Sequence, residues 1–535
     1  MNPLIQLKKL TLSVVALSLG CFGLACFALL PTAQAVGPDT DGAIPGSNNG
    51  EGTGVLVSRT TGVWNTGTGF EVLHDLTGGN QNTATGLRAL FSDTNGSSNT
   101  ATGVYSLFSN TSGSFNSATG VSALANNATG DYNTANGYGA LYVNTEGEQN
   151  TATGSYALYR NTTGVTNTAS GVSALFSNTT GAANTASGAG ALFSNTTGHN
   201  NTANGAQALF FNTTGNYNTA TGDSALERNT TGILNTASGL GALERNTTGD
   251  SNTANGASAL FFNTTGEDNT ANGGSALFSN TTGIRNTASG VLALFNNTTG
   301  DENTAVGSGA LFSNTTGFEN TAIGDNTLGN NTIGSVNIAL GHLAGLNLTT
   351  GGGNIDIGNS GVAGESATIR IGQSQTRTFI AGIRGRTTGN ANAVSVLIDS
   401  AGQLGTISSS RRFKSEIKAM GNTSEAIHAL KPVTFRYKSD KTGTPQFGLI
   451  AEEVAEANPD LVVHDENGDI YTVRYEAVNA MLLNEFLKEH RKNEEQEAMI
   501  ARQQKQIEAL TAGLQRVSAQ LELSKPAPQT VKNTD

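Results

Sequence analysis

The sequence predicts a mainly β protein: a parallel β-solenoid (β-roll) of 17-residue repeats, then a small α+β domain, then a long C-terminal coiled-coil helix. Three observations carry this reading. A unit close to Asn-Thr-Ala-x-Gly-x-x-Ala-Leu-Phe-x-Asn-Thr-Thr-Gly-x-x recurs eighteen times without an insertion, its leading asparagine stepping from Asn65 and Asn82 to Asn337 and Asn354. Glycine holds the fifth position of every copy, from Gly69 to Gly358, and leucine the ninth, unbroken from Leu90 to Leu328. Charge is sparse through this array, with no lysine between Lys9 and Lys414, and rises abruptly after Ser410. A short constant period means that each unit buries its apolar side only against its neighbours, which is the arrangement of a solenoid.

The chain opens with Lys8 and Lys9, an apolar run from Leu10 to Leu30, Pro31, and the small-residue pattern Ala33-Gln34-Ala35. This order reads as an export signal over residues 1–35, cleaved after Ala35. The length of the apolar run also suits a retained membrane anchor. Cys21 and Cys26 both lie inside the signal, so the mature chain is expected to hold no disulfide and, once cleaved, no stable membrane span. Residues 36–64 follow as an N-terminal linker. The formal charge of -12 and the lysine-free centre argue against nucleic acid as a partner. No cofactor or metal is implied, since His428 and His464 lack metal-ligand spacing and read as surface histidines.

The shaft spans 65–358. Seventeen residues are too few for two helices and suit a coil of short strands and turns. Thr-Ala-x-Gly reads as a strand with Ala inward, and Asn-Thr-Thr-Gly as a turn whose glycine supplies positive φ. Ala-Leu-Phe, as at Ala89-Leu90-Phe91, gives the apolar side. Stacking then sets Asn over Asn and Thr over Thr along a rod of roughly 85 Å, with amides bonded along its length. Phe91, Phe108, Tyr142, Phe176 and Phe193 crowd so thin an interior, and three chains side by side would bury them.

The repeat resembles the head repeats of trimeric autotransporter adhesins, parallel β-rolls with Asn-[Thr/Ser]-x-Ala-x-Gly units, although that family's unit is shorter and this chain does not end in its membrane barrel. Asn-Thr-Thr at Asn161 and Asn229 matches an N-glycosylation acceptor, which turn chemistry explains more simply. Thr-x-Thr at Thr83-Ala84-Thr85, Thr151-Ala152-Thr153 and Thr219-Ala220-Thr221 invites an ice-binding reading, spoiled by Ser or Asn in other copies.

After the array, Ile369-Arg370-Ile371-Gly372 and Thr378-Phe379-Ile380-Ala381-Gly382 read as strands of a β-rich neck over 359–406. The next domain, 407–475, opens on Ser408-Ser409-Ser410-Arg411-Arg412-Phe413-Lys414-Ser415-Glu416-Ile417. Ser-x-x-Arg-x-Lys-x-x-Ile from Ser409 to Ile417, Lys-Pro-Val-Thr-Phe-Arg-Tyr from Lys431 to Tyr437, and Phe-Gly-Leu-Ile-Ala-Glu-Glu-Val from Phe447 to Val454 stand here in order. With Pro459 to Val462, Tyr475 and Ala477, they resemble the peptidase S74 family, the intramolecular chaperone domain at the ends of phage endosialidases and tail fibres.

That resemblance implies a serine–lysine dyad that cuts the chain once a trimer has assembled, with Ser409 as nucleophile and Lys414 as general base. The scissile bond is then Ser408–Ser409, or Ser409–Ser410, and the serine register leaves Ser408 or Ser410 as substitutes. The chemistry agrees with the roles: a serine hydroxyl attacks only when a base takes its proton, and a lysine serves only as the neutral amine. Arg411 and Arg412 beside it, and burial in a trimer interface, would favour that neutral form. The cut would be a single intramolecular turnover. A folded chaperone that has lost cleavage is the competing reading.

A helix is expected over 476–523, before a disordered tail at 524–535. Counting sevens places Phe486, Asn493, Ile500, Ile507, Leu514 and Leu521 at one core position, and Leu482, Glu489, Gln496, Gln503, Leu510 and Val517 at the other. The last three heptads suit a coiled coil. The whole therefore reads as an exported, homotrimeric, adhesin-like fibre at the cell surface or secreted, with a glycan or cell-surface ligand for its shaft. The rivals are a prophage tail fibre or tailspike with glycan-binding or depolymerase activity, and more remotely the ice binder. A depolymerase needs paired carboxylates, and the array offers few acids, with Glu227 and Glu244 a rare stacked pair one repeat apart, next to Arg228 and Arg245, with which they are expected to pair.

Overall fold

The computed structural model describes residues 46–383, 386, 392–399, 402–465 and 467–526. The export signal expected at 1–35 lies outside them, as does most of the terminal tail. The chain divides into two compact units, one ending at Thr378 and one beginning at Phe379.

In the first unit every coil contributes one three-residue strand, and successive strands pair parallel and in register. Thr83 stands beside Thr100, Ala84 beside Ala101 and Thr85 beside Thr102. Alternation along the strand turns the alanine inward and the flanking residues outward. Twenty strands form one sheet, from Asn49–Glu51 to Ile369–Ile371. The parallel solenoid is therefore the fold, and it extends one coil beyond 65–358 in each direction. At the start, Asn48-Asn49-Gly50-Glu51-Gly52 keeps the Asn and Gly of the unit but has lost its Thr and Ala. At the end, Ile369 pairs with Ile355, fourteen residues earlier, so a coil shortened by three escapes a search at period seventeen. Thr378 to Gly382, expected as a strand, forms none. The described part of the neck holds only a hairpin of Leu397–Ile398 with Leu404–Gly405.

The interior is filled by two alanines, a leucine and two asparagines per coil, all fully buried, as with Ala169, Ala174, Leu175, Asn167 and Asn178. Burying one such leucine stabilises by roughly 1.5–3 kcal/mol. Burying an asparagine costs free energy unless every polar atom is bonded, and here the ladder supplies the partners. Asn178 Nδ2 donates to Asn161 Oδ1 of the preceding coil at 2.7 Å and to the Gly181 carbonyl at 2.9 Å, while its own Oδ1 accepts from Asn195 Nδ2 at 2.8 Å. In the second ladder, Asn184 N–H donates to Asn167 Oδ1 at 3.0 Å and Asn184 Nδ2 to the Gly198 carbonyl at 2.8 Å. Asp93 ends the first ladder, taking Gly96 N–H and Asn110 Nδ2 on one oxygen, and burial pushes its carboxyl up to about 8.

The two glycines of the unit are needed for different reasons, and not as the sequence suggested. The fifth-position glycine has the positive φ, 129° at Gly154, where a Cβ would lie 2.5 Å from the Gly171 carbonyl oxygen of the next coil. The glycine of Asn-Thr-Thr-Gly has no positive φ. It is required by crowding, since a Cβ on Gly215 would lie 2.5 Å from both Asn212 Oδ1 and the Gly232 carbonyl. Leucine, by contrast, does sit in the left-handed region, with φ 51° at Leu158 and 52° at Leu175. Left-handed backbone costs about 1–2 kcal/mol for such a residue. It is offset by full burial and by hydrogen bonds that point alternately along the rod: Tyr156 N–H reaches Tyr138 O one coil back, and Leu158 N–H reaches Ala174 O one coil on.

The tenth-position aromatics lie outside this interior, half-exposed, and bury one another. Phe176, Phe193 and Phe210 stack with centroids 5.0 and 4.9 Å apart and planes within 4°. A single chain thus covers part of each ring by stacking it on its neighbours, where three chains side by side were expected to bury them. Glu227 and Glu244 interrupt the row, and Arg245, expected to pair with a carboxylate, lies over the Phe262 ring at 4.7 Å.

The second unit has a small core of Val454, Leu461, Val462, Val473 and Met481, with Ile427, Leu430 and Leu449 packed against it. Its elements are a 3-10 segment Gly421–Ala429, the antiparallel pairs Val433–Phe435 with Gln446–Gly448 and Val462–His464 with Ile470–Val473, a short helix Ala451–Ala457, and a terminal helix Tyr475–Leu523. No helix among the described residues is long and apolar enough to cross a membrane.

Candidate functional site

Ser408, Ser409 and Ser410 form an exposed extended segment that leads into a single 3-10 turn, Arg411–Phe413, with Lys414 as its C-cap. The turn closes with Phe413 N–H on Ser410 O and Lys414 N–H on Arg411 O, both at 3.1 Å. Ser410 N–H donates to Ser408 Oγ at 3.3 Å. Arg412 folds over the Phe413 ring at 4.6 Å. Ser409 and Lys414 are therefore carried on opposite ends of one short turn, both exposed, and among the described residues no hydrogen bond joins them. Phe413 and Ile417, also exposed, flank them. In this single chain the two residues of the expected dyad are neighbours without being a bonded pair.

The blocks downstream pack on one another. The Tyr475 hydroxyl accepts Leu449 N–H at 3.0 Å, and a Cβ on Gly448 would lie 2.8 Å from that hydroxyl. Glycine in Phe447-Gly448-Leu449 is thus what lets the strand pass the start of the terminal helix.

Sequence reasoning missed a polar cluster that fastens the helix to the 3-10 segment. Glu485 accepts from the buried Ser424 hydroxyl, lies 3.2 Å from His428 Nε2, and takes Lys488 Nζ at 2.7 Å. Asn484 Nδ2 reaches Ser424 Oγ at 2.6 Å and the Gly421 carbonyl at 3.0 Å. The Lys488 ammonium, then the Ser424 and His428 contacts, hold the Glu485 carboxyl at about 2, well below its ordinary 4.5. Ser424 and His428, four apart, were a signal of one helical face, but their partner lies about sixty residues away in sequence. His428, exposed as the sequence suggested, nevertheless serves as a clasp residue, and His464 is exposed on a strand.

Beyond Glu485 the terminal helix is almost wholly exposed. Phe486, Ile500, Ile507, Leu510, Leu514 and Val517 all face solvent in the single chain. No curated protein and no solved structure matches the chain. Residues 409–463, from the middle serine of the extended segment into the strand Val462–His464, match the model of the peptidase S74 family, the chaperone of endosialidase.

Proposed function

We propose that this is an exported, homotrimeric, tail-fibre-like protein with an adhesin-like role at a cell surface or in secretion. Its C-terminal chaperone would align three chains and then detach itself by one Ser409–Lys414 cleavage. The observation that carries this is the condition of the second unit: it matches an intramolecular chaperone, yet leaves both dyad residues in solvent and a heptad stripe without a partner. A nucleophile and base in that state are idle. Packing of further copies would exclude water, favour the neutral lysine and bring the hydroxyl under its control. Three aligned helices would also lower the entropy of closing the shafts together. The mature shaft would then act by binding, with a glycan or another surface molecule as ligand.

The test is expression of residues 36–535. Two bands are expected, the smaller with the mass of residues 409–535, and Ser409→Ala or Lys414→Ala should leave one while preserving the oligomer. A single band from the unaltered chain removes the cleavage. Incubation with a glycan panel separates retention, expected here, from release of reducing ends, which would mark a depolymerase.

A further inference from the structure

The outward strand face of the solenoid changes character along its length. Each strand presents two outward residues, one before and one after the buried alanine. Through most of the shaft these are Thr followed by Thr, Ser or Asn, as in Thr151–Thr153 and Thr185–Ser187. In the last coils the row after the central residue becomes Val306, Ile323, Leu340, Ile357 and Ile371, and the row before it becomes Ile338, Ile355 and Ile369, the centre itself changing from alanine to Asp356 and Arg370 in the final two. Parallel pairing stacks these residues directly, Val306 on Ile323, Ile323 on Leu340, Leu340 on Ile357, Ile357 on Ile371. They remain 38–71 % exposed, apart from the half-buried Ile355. In the coils of Val306, Ile323 and Leu340 nothing in coil formation requires this, because the inward alanine already closes the core and earlier coils close equally well with threonine.

We propose that these last coils form a contact between copies of this chain, separate from the terminal helix. Three features favour an identical partner. The patch comprises about 600 Å² of exposed aliphatic side chain, at the top of the range for the largest patch on a monomer and close to the roughly 800 Å² per partner of a standard interface. Its side chains repeat at the strand spacing of about 4.8 Å on a flat face, and another copy of the same rows offers the matching comb. The chain also carries a second unpartnered apolar stripe, the heptads from Ile500 to Leu521, and parallel copies would cover both at once. The second contact would then form at the high effective concentration set by the first. The threonine coils would stay hydrated and unpaired, so copies would adhere at the base of the shafts and stand free above.

This rests on the oligomeric reading above, and the test keeps the two apart. In the full chain with Cys21 and Cys26 replaced by serine, Leu340→Cys should give an intermolecular disulfide under mild oxidation, seen as a doubled band without reductant. Thr153→Cys, the same position on a threonine coil, should give none. Leu340→Thr with Ile357→Thr, a pattern the earlier coils show to be compatible with the fold, should lower the temperature at which the oligomer dissociates. A chain that sediments as an oligomer but shows neither the Leu340→Cys disulfide nor that shift overturns the shaft contact alone. A chain that sediments as a monomer overturns both.

Discussion

The two units of this protein solve the problem of burial in opposite ways. The solenoid completes itself: each coil hides its leucine and alanines and bonds its asparagines within itself and to the coils before and after. The C-terminal unit does not: its core is a handful of residues, and its longest element presents leucine, isoleucine and phenylalanine to water over many turns. A repeat needs only its neighbour, which the chain itself always supplies. A heptad stripe needs another helix. One unit is closed upon itself, and the other leaves an apolar stripe open to water.

Three substitutions break or sharpen this contrast. The largest effect is expected for Gly154→Ala, where a side chain would collide with backbone that cannot move without parting two coils; a loss of about 5 kcal/mol or more should split the shaft into two separately melting halves in guanidinium followed by circular dichroism. Asn178→Ala should cost roughly 1–3 kcal/mol, since it leaves Asn161 Oδ1 without its donor in a dry interior, whereas Asn195 Nδ2 keeps the Gly198 carbonyl and the Gly181 carbonyl keeps Asn167 Nδ2. Hydrogen exchange should accelerate in coils on both sides of it, and acceleration confined to its own coil would show that the ladder does not transmit stability. The smallest effect is expected for Glu485→Gln, which should free the first turns of the terminal helix to exchange while the shaft stays unaltered. Because the folded carboxyl titrates near 2 against an ordinary 4.5, its contribution is complete above about 4.5 and is lost as pH falls towards 2. The unaltered protein should therefore lose protection at Met481 and Glu485 over that acid range, and the Gln variant should show no such step.

The architecture was legible because period and residue type agree. Asn, Ala and Leu recur at fixed spacing, and in a stack each position can have only one environment. The backbone was less legible: the sequence offered glycine as the carrier of positive φ in the Asn-Thr-Thr-Gly turn, yet Leu158 and Leu175 hold left-handed conformations there is no reason to expect of leucine in isolation. Only the hydrogen bonds to the coils on either side make them favourable. The aromatics misled for a related reason, since position in a repeat does not reveal whether Phe193 points inward or lies along its neighbours. At the C-terminus, the chaperone domain was legible through the order of several separated blocks, and the 409–463 match agrees, while the roles of Ser409 and Lys414 rest on the resemblance alone. The Glu485 clasp was not, because a contact across some sixty residues leaves no local trace.

The uniformity of the asparagine ladders has a consequence for inheritance. Any block of seventeen residues excised from the middle, in whatever phase, leaves a lower coil whose amides meet an upper coil offering the same acceptors, and a duplicated block does likewise. Tandem near-identical coding segments exchange unequally during replication and recombination, so such a protein can lengthen or shorten in whole steps of about 4.8 Å while its two termini are untouched. The length of the solenoid becomes a trait that selection can adjust without redesigning a single contact.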